Sequence, residues 1–192
     1  MADIEKFITI VSGLPRSGTS MMMKMLEAGG MEILTDNLRT ADEDNPKGYY
    51  EFEVVKELEE NQEWLPGAQG KVVKIISQLL KPLPRDYEYK VIFMRRKMAE
   101  ILASQKQMLV RRGEPTDAVS DKTLAELFQK HLSQIEAWLA EQPNFEVLYI
   151  HYSEALDKPA EAAEQIKEFL GGKLDVEKMN SVVDKSLHRQ RS

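Results

Sequence analysis

Residues 7–28 of the chain read FITIVSGLPRSGTSMMMKMLEA, and this stretch decides the fold class. Residues 7–12 form a short, β-branched apolar run that ends at Gly13, which is typical of a buried strand. Residues 19–28 are rich in helix formers and stop at Gly29 and Gly30, a common end of a helix. A strand, a glycine-containing turn and a helix in this order indicate the start of an α/β domain.

The same two patterns alternate along the rest of the 192 residues. Further strands are predicted at residues 71–76, 89–94 and 145–150, and helices at 51–64, 97–111, 121–142, 154–170 and 176–183. Strands that alternate with helices predict a three-layer α/β/α architecture with a mostly parallel sheet. The sequence contains no internal repeat or linker, so one domain over residues 1–192 is expected.

Composition and charge exclude several classes of protein. The chain has 42% hydrophobic and 30% charged residues, as globular proteins do, and it has no cysteine for disulfides, thiolate metal sites or a cysteine nucleophile. Its net charge of −6 argues against an extended nucleic-acid surface. The first apolar run is too short for a signal peptide or a membrane span. We expect a cytoplasmic protein with neither nucleic acid nor membrane as a partner; its oligomeric state stays open.

The turn between the first strand and the first helix, GLPRSGTS at residues 13–20, is the most specific motif. Amide groups in such a turn converge, and the helix N-terminus adds its positive dipole, so the turn favours an anion such as phosphate. A nucleotide triphosphatase has a lysine directly after the second glycine, where this chain has Thr19. The cation of this loop is Arg16 instead. A glycine turn with a solvated arginine is the alternative interpretation.

A second arginine motif follows at the end of the strand predicted at residues 89–94. The stretch VIFMRRKMAEILASQ, residues 91–105, places Arg95 and Arg96 at the strand end and Ser104 eight residues after Arg96. The planar, permanently charged guanidinium group suits phosphate oxygens. Surface charges at a strand end are the alternative, which the order and placement of the two motifs make less favourable.

Together these two motifs resemble the sulfotransferases that use 3′-phosphoadenosine 5′-phosphosulfate, in the variant whose loop has arginine in place of lysine. Residues 149–171, YIHYSEALDKPAEAAEQIKEFLG, are similar to a further segment of that family, which we expect to serve packing. The resemblance implies a P-loop NTPase-like fold. It also implies transfer of a sulfuryl group to a hydroxyl or amine, with adenosine 3′,5′-bisphosphate as the product.

The resemblance further implies which residues hold the donor nucleotide. The 3′-phosphate would be bound by Arg96 and Ser104, and Arg95 is the less favoured arginine on spacing. The 5′-phosphate would be bound by the loop residues Pro15, Arg16, Ser17, Gly18, Thr19 and Ser20.

Two cations are candidates for stabilising the transferred group. Arg16 would offset the charge that builds on the leaving phosphate. Lys74 matches by position a strand-end lysine that lies near the sulfuryl group in several sulfotransferases. A lysine at the sheet edge that faces solvent is the alternative for Lys74.

The general base departs from the pattern of the family. Many members have a histidine two residues after the strand-end lysine, whereas this chain has Ile76 there. The remaining carboxylates are Glu51 and the acidic run Asp42, Glu43 and Asp44. We select Glu51 because it follows a Gly-Tyr-Tyr turn; a carboxylate that caps the next helix is its alternative role.

Two other functions stay open on the sequence alone. A kinase with a degenerate loop would need magnesium and ATP, and a non-catalytic nucleotide sensor would keep the pocket without the base. His131, His151 and His188 lack metal-ligand spacing, so no metal site is expected, and the basic tail near residues 185–191 is expected to be frayed. No motif identifies the acceptor, whether a small molecule, a saccharide or a peptide; residues 35–50 and 111–121 are expected to shape its side of the site.

Overall fold

The computed structural model describes residues 6–36, 50–116 and 118–184. The strands in this part of the chain are β1 (Phe7–Gly13), β2 (Ile33–Leu34), β3 (Val72–Lys74), β4 (Glu88–Arg95) and β5 (Phe145–His151). The α-helices are α1 (Thr19–Ala28), α2 (Met98–Arg112), α3 (Asp121–Ala140), α4 (Tyr152–Asp157), α5 (Pro159–Leu170) and α6 (Val176–Ser181). Short 3₁₀ segments occur at Glu53–Glu57, Leu65–Ala68 and Ser77–Leu79.

The five strands form one sheet in the order β2-β3-β1-β4-β5, and every pairing between them is parallel. After β1 the chain builds β2 and β3 on one side of that strand and then β4 and β5 on the other. The carboxyl end of β1 is therefore a switch point, where open α/β sheets form a crevice for ligands. The predicted α/β fold with a mostly parallel sheet is confirmed.

Two hydrophobic cores lie on the two faces of the sheet. Alternate residues of β1 supply both cores: Phe7 and Val11 pack with α1, α4, α5 and α6, while Ile8 and Ile10 pack with α3 and the 3₁₀ segments. Because both faces are covered, all seven residues of β1 are buried. This explains why the strand is a continuous apolar run in the sequence.

The prediction of an α-helix at residues 51–64 is wrong. The structure has 3₁₀ segments at Glu53–Glu57 and Leu65–Ala68 with turns between them. The apolar residues Phe52, Val55 and Leu58 recur at intervals of three, and this spacing fits the three residues per turn of a 3₁₀ helix. Val55 and Leu58 are buried as the amphipathic pattern predicted, but they are buried by a tighter helix.

The helix predicted at residues 154–170 is two helices, α4 and α5. They separate at Lys158, whose φ of −131° and ψ of 60° are not helical. Pro159 disfavours the α conformation at the residue before it and itself fits the first turn of α5, so the break follows from this proline. The two-residue strand β2 was not predicted, since two residues are too few to show any period.

None of the helices in the described ranges is both long enough and apolar enough to cross a membrane.

Candidate active site

The loop between β1 and α1 is held in a conformation that only certain residues tolerate. Gly13 has a φ of 142° and Gly18 a φ of 103°, both in the region that favours glycine, and Arg16 has a φ of 70°. A Cβ atom on Gly13 would lie 2.6 Å from the carbonyl oxygen of Met94 and 2.6 Å from Ser17 Oγ. The loop is therefore pressed against the end of β4, and the glycine is needed for this close approach.

The second glycine of the loop packs against an aromatic ring. Gly18 lies directly before the first residue of α1, and a Cβ atom on it would overlap the ring of Tyr152. Tyr152 is the first residue of α4 and directly follows β5. The segment at residues 149–171 thus places Tyr152 against the loop at residues 13–20. The sequence analysis expected this segment to serve packing but did not identify this contact.

Three of the residues predicted to bind phosphate lie together. The Arg16 Nε atom donates a hydrogen bond to Ser104 Oγ at 2.9 Å. The Arg96 Nη1 atom donates to the main-chain carbonyl oxygen of Arg16 at 3.0 Å. The two arginines come from the ends of the adjacent strands β1 and β4, and Ser104 comes from α2. We call Arg16, Arg96 and Ser104 the arginine cluster.

Arg96 is fixed by two further residues that the sequence analysis did not select. Its Nε atom donates to Glu100 Oε2 at 2.9 Å, and the two side chains are only 8% and 3% exposed. Its guanidinium carbon lies 4.4 Å from the centre of the Tyr152 ring. Burial raises the pKa of the Tyr152 phenol, and the positive charge of Arg96 partly opposes this rise. Glu100 had a signal in the sequence, an acid four residues after an arginine at a helix start.

Arg95 lies on the other face of the sheet. Its Nη2 atom is 2.7 Å from Glu136 Oε2 of α3, and its guanidinium carbon lies 4.3 Å from the centre of the Tyr149 ring. The two adjacent arginines therefore point to different partners, because successive residues of a strand alternate between faces.

A cavity of about 240 Å³ lies between the loop and α3 at the carboxyl end of the sheet. Its polar lining includes Ser17, Arg95, Arg96 and His151. Ser17 is only 1% exposed, and its Oγ atom has no hydrogen-bond partner in the described part of the chain. A buried hydroxyl of this kind, in a lining that also contains Arg96, fits a ligand with acceptor oxygens, as a phosphate has.

Lys74 and Glu51 meet at the other side of β1. Lys74 is the last residue of β3, and its Nζ atom lies 3.9 Å from Glu51 Oε1. The lysine side chain is 8% exposed and that of Glu51 23%. The solvent-facing alternative for Lys74 is therefore wrong. Ile76 lies two residues beyond Lys74, and Asp42, Glu43 and Asp44 lie outside the described residues.

The alternative role of Glu51 as a helix cap is not the one observed. The 3₁₀ segment Glu53–Glu57 begins after Phe52, and Glu53 donates its amide to Asp36 Oδ2 at 2.6 Å. Asp36 is therefore a capping carboxylate at this point, and the Glu51 side chain lies near Lys74.

Of the two histidines in the described ranges, His151 lines the cavity and His131 does not. His131 Nε2 is 2.9 Å from Ser77 Oγ, and burial, with the nearby charge of Lys81, lowers the pKa of its imidazole. His151 is exposed at the end of β5. His188 and the basic tail lie outside the described residues.

The parallel sheet, its switch point and the glycine loop before α1 define an α/β protein with a P-loop-like fold. The chain belongs to the sulfotransferase domain family, whose model matches residues 8–190. No curated protein sequence matches the chain.

Solved structures agree with this fold. The chain is similar to the sulfotransferase domain of the Synechococcus PCC 7002 olefin synthase, with a TM-score of 0.58, 14% identity, and coverage of 95% of this chain and 79% of that one. It is also similar to mouse sulfotransferase SULT7A1 complexed with PAP, with a TM-score of 0.56, 19% identity, and coverage of 95% and 63% respectively. The TM-scores indicate a shared fold. At these low identities, the function has to be argued from the site.

Proposed function

We propose that the protein transfers a sulfuryl group from 3′-phosphoadenosine 5′-phosphosulfate to a hydroxyl or amine of an acceptor. The observation that carries this proposal is the arginine cluster at the switch point of the sheet. Two arginines from adjacent strand ends and a serine from α2 lie within hydrogen-bonding distance of one another. Such a cluster suits a ligand with phosphate groups at two positions.

The residues of the loop fit the 5′ end of this donor. The main-chain amides of Gly18, Thr19 and Ser20 lie at the N-terminus of α1, where the first amides have no partner inside the helix, whereas the amide of Ser17 donates to the Leu14 carbonyl at 3.2 Å. The unpartnered Ser17 hydroxyl and the Arg16 guanidinium add polar groups from side chains. We assign the 5′-phosphate to this loop, including Pro15, and the 3′-phosphate to Arg96 and Ser104.

The same loop is poorly suited to a magnesium-dependent kinase. Thr19 stands where such a loop has its lysine, and the charge is supplied by Arg16, three residues earlier. The 3′-phosphate is the chemical feature that separates the proposed donor from ATP. An arginine cluster beside the loop gives this phosphate a place, whereas ATP has no group that would use it.

Lys74 and Glu51 supply the chemistry of transfer. When the donor is bound, it provides a sulfuryl group whose sulfur–oxygen bond to the 5′-phosphate breaks as a bond to the acceptor oxygen or nitrogen forms. Glu51 accepts the proton that the acceptor loses. Lys74, mostly buried and positively charged, stabilises negative charge on the transferred group, and Arg16 stabilises the charge that returns to the phosphate.

The Glu51 carboxylate, which lies near Lys74, also favours an enzyme over a nucleotide sensor. A sensor needs the arginine cluster but has no use for a carboxylate and a lysine held together at the adjacent strand end. The pair at 3.9 Å supports catalysis by residues that the sequence alone left as one choice among several. We also propose a cytoplasmic location, which rests on the composition of the sequence.

Calorimetry tests the choice of nucleotide directly. Adenosine 3′,5′-bisphosphate and ADP are titrated into the protein, each with and without magnesium. We expect the bisphosphate to bind more tightly than ADP and to bind equally well without magnesium. A preference for magnesium-ADP would replace the proposal with the kinase alternative.

Mass spectrometry of reactions with labelled donor tests the transfer itself. We expect sulfated products from at least one hydroxyl or amine compound in an acceptor library. Tight binding of the bisphosphate without any sulfated product, together with no effect of Glu51→Gln, would favour the sensor.

A further inference from the structure

The backbone of Glu51 is anchored to the segment that follows β2. Thr35 Oγ1 donates a hydrogen bond to the carbonyl oxygen of Glu51 at 2.7 Å, and the amide of Asp36 donates to the same oxygen at 3.4 Å. The Asp36 side chain in turn accepts the amide of Glu53 at 2.6 Å. The carbonyl of Glu51 and the amide of Glu53 are thus tied to the same short segment.

Tyr50, the residue before Glu51, connects this part of the chain to α1. Its φ is 51°, a left-handed conformation that costs a residue other than glycine on the order of 1 kcal/mol or more. Its phenol donates a hydrogen bond to Glu27 Oε2 at 2.7 Å, and its ring packs against the core on the α1 face. Strained residues persist where their surroundings hold them, and here the strained residue directly precedes Glu51.

These two anchors connect Glu51 to the elements that hold the rest of the site. Glu27 lies in the last turn of α1, whose N-terminus carries Thr19 and Ser20 of the phosphate loop. Thr35 follows β2, which pairs with β3 in a register that includes Leu34 opposite Val73, next to Lys74. The contact of Tyr50 with Glu27 therefore links the position of Glu51 to the helix that follows the donor loop, and the contact of Thr35 links it to the strands that hold Lys74.

We propose that Tyr50 and Thr35 are positioning residues, which hold the Glu51 carboxylate beside Lys74 in the geometry needed for transfer. The inference rests on the proposed function, since Glu51 is the base only if the chain transfers a sulfuryl group. Burial and the hydrogen bond and charge of Glu27 raise the pKa of the Tyr50 phenol. The phenol thus stays protonated, and the hydrogen bond to Glu27 persists, across the physiological pH range.

The test measures steady-state kinetics and nucleotide affinity in two variants of the full chain and in one control variant. Tyr50→Phe removes the hydrogen bond to Glu27 and Thr35→Val removes the one to Glu51, and both keep most of the packing. We expect kcat to fall by roughly 10- to 100-fold in each, because a misplacement of about 1 Å has effects of this size. The affinity for adenosine 3′,5′-bisphosphate, measured by calorimetry, is expected to stay within about twofold, since the hydrogen bonds removed join Thr35 to Glu51 and Tyr50 to Glu27, all outside the arginine cluster.

Tyr89→Phe is the matched control. The Tyr89 phenol also donates to an oxygen, the carbonyl of Pro84 at 3.0 Å, but Tyr89 lies near the amino end of β4, away from the site. This variant should lose stability without a selective loss of kcat. Equal kcat values in Tyr50→Phe and Tyr89→Phe would overturn the proposal, and so would a joint loss of kcat and nucleotide affinity in Tyr50→Phe.

Two variants of the partner residue separate the hydrogen bond from the charge. Glu27→Gln keeps an acceptor oxygen for the Tyr50 phenol, whereas Glu27→Ala does not. The glutamine variant is expected to keep more of kcat than the alanine variant. Equal losses in both would contradict a role for the hydrogen bond.

Crystal structures of the wild type and of Tyr50→Phe decide the positioning role without any assay of transfer. We expect Glu51 to leave ion-pair distance of Lys74 in the variant. An unchanged Glu51 would overturn the positioning role even in an active enzyme. A wild-type protein that transfers no sulfuryl group would instead contradict the proposed function, and the two failures are therefore distinguishable.

Discussion

The two sides of β1 are built in different ways. On the β4 side, the arginine cluster is held by several contacts: Arg96 contacts Glu100, the Arg16 carbonyl and the Tyr152 ring, and Arg16 donates to Ser104. On the β3 side, Lys74 and Glu51 lie 3.9 Å apart, beyond direct hydrogen-bonding distance. The donor side is thus held by several short contacts, whereas the two opposite charges of the transfer side form a longer ion pair.

This difference has a functional reason. A phosphate group needs several donors in fixed positions, and arranging them before binding avoids the cost of ordering them later. A base and a cation that act on the reacting atoms have to leave space for those atoms. We therefore expect substitutions on the transfer side to affect the rate, and substitutions on the donor side to affect nucleotide affinity or stability.

The largest effect is expected from Glu51→Gln. The amide has nearly the same shape as the carboxylate but accepts no proton, so kcat should fall by roughly 10²- to 10⁴-fold, the usual contribution of a general base. The affinity for adenosine 3′,5′-bisphosphate should change little. Steady-state kinetics and calorimetry on the same preparation check both expectations, and a weakened affinity with normal kcat would place Glu51 on the donor side.

A smaller effect is expected for Arg96→Gln, made together with Glu100→Gln so that no buried carboxylate is left without its partner. Relative to Glu100→Gln alone, adenosine 3′,5′-bisphosphate should lose roughly 1.5 to 3 kcal/mol of binding free energy, the range for hydrogen bonds to a charged group. The binding of 5′-AMP should also weaken, by about 1 kcal/mol, because Arg96 supports the carbonyl of the strained Arg16.

Calorimetry with both nucleotides measures the difference between these losses. A loss for 5′-AMP is expected beside the larger loss for the bisphosphate, because Arg96 also contacts the Arg16 carbonyl. Equal losses for the two nucleotides would contradict the assignment of the 3′-phosphate to Arg96.

Gly18→Ala tests how rigidly the donor side is packed. The added methyl group would overlap the Tyr152 ring, and the φ of 103° disfavours alanine. We expect a loss of roughly 1 to 3 kcal/mol in the free energy of unfolding, typical of overpacking, measured by chemical denaturation. Gly30→Ala is the control, because its φ of 100° is similar but a Cβ atom there meets no atom within 4 Å. Equal losses in the two variants would mean that backbone strain, and not the Tyr152 contact, decides the effect.

The same contrast explains what the sequence could predict. Four of the five described strands, α1 and the arginine motif were predictable because each depends on residues close together in the chain, as the loop at residues 13–20 does. The contact of Tyr152 with Gly18 was not predictable, because the order of the strands brings together two residues that are 134 positions apart in the sequence. Glu51 could be selected only as one carboxylate among several. Its neighbourhood depends on the pairing of β2, a strand too short to leave a pattern.

The smallest effect is expected for Arg95→Gln, which distinguishes the two adjacent arginines. Arg95 pairs with Glu136 on the α3 face, and both side chains are about one-third exposed, so the loss of this ion pair should cost no more than about 1 kcal/mol of stability. The affinity for adenosine 3′,5′-bisphosphate should stay within about twofold of the wild type, because the guanidinium group points away from the arginine cluster. Calorimetry on Arg95→Gln and Arg96→Gln in parallel makes the comparison. If Arg95→Gln weakened the bisphosphate as strongly as Arg96→Gln, the assignment of the 3′-phosphate to Arg96 and Ser104, without Arg95, would be wrong.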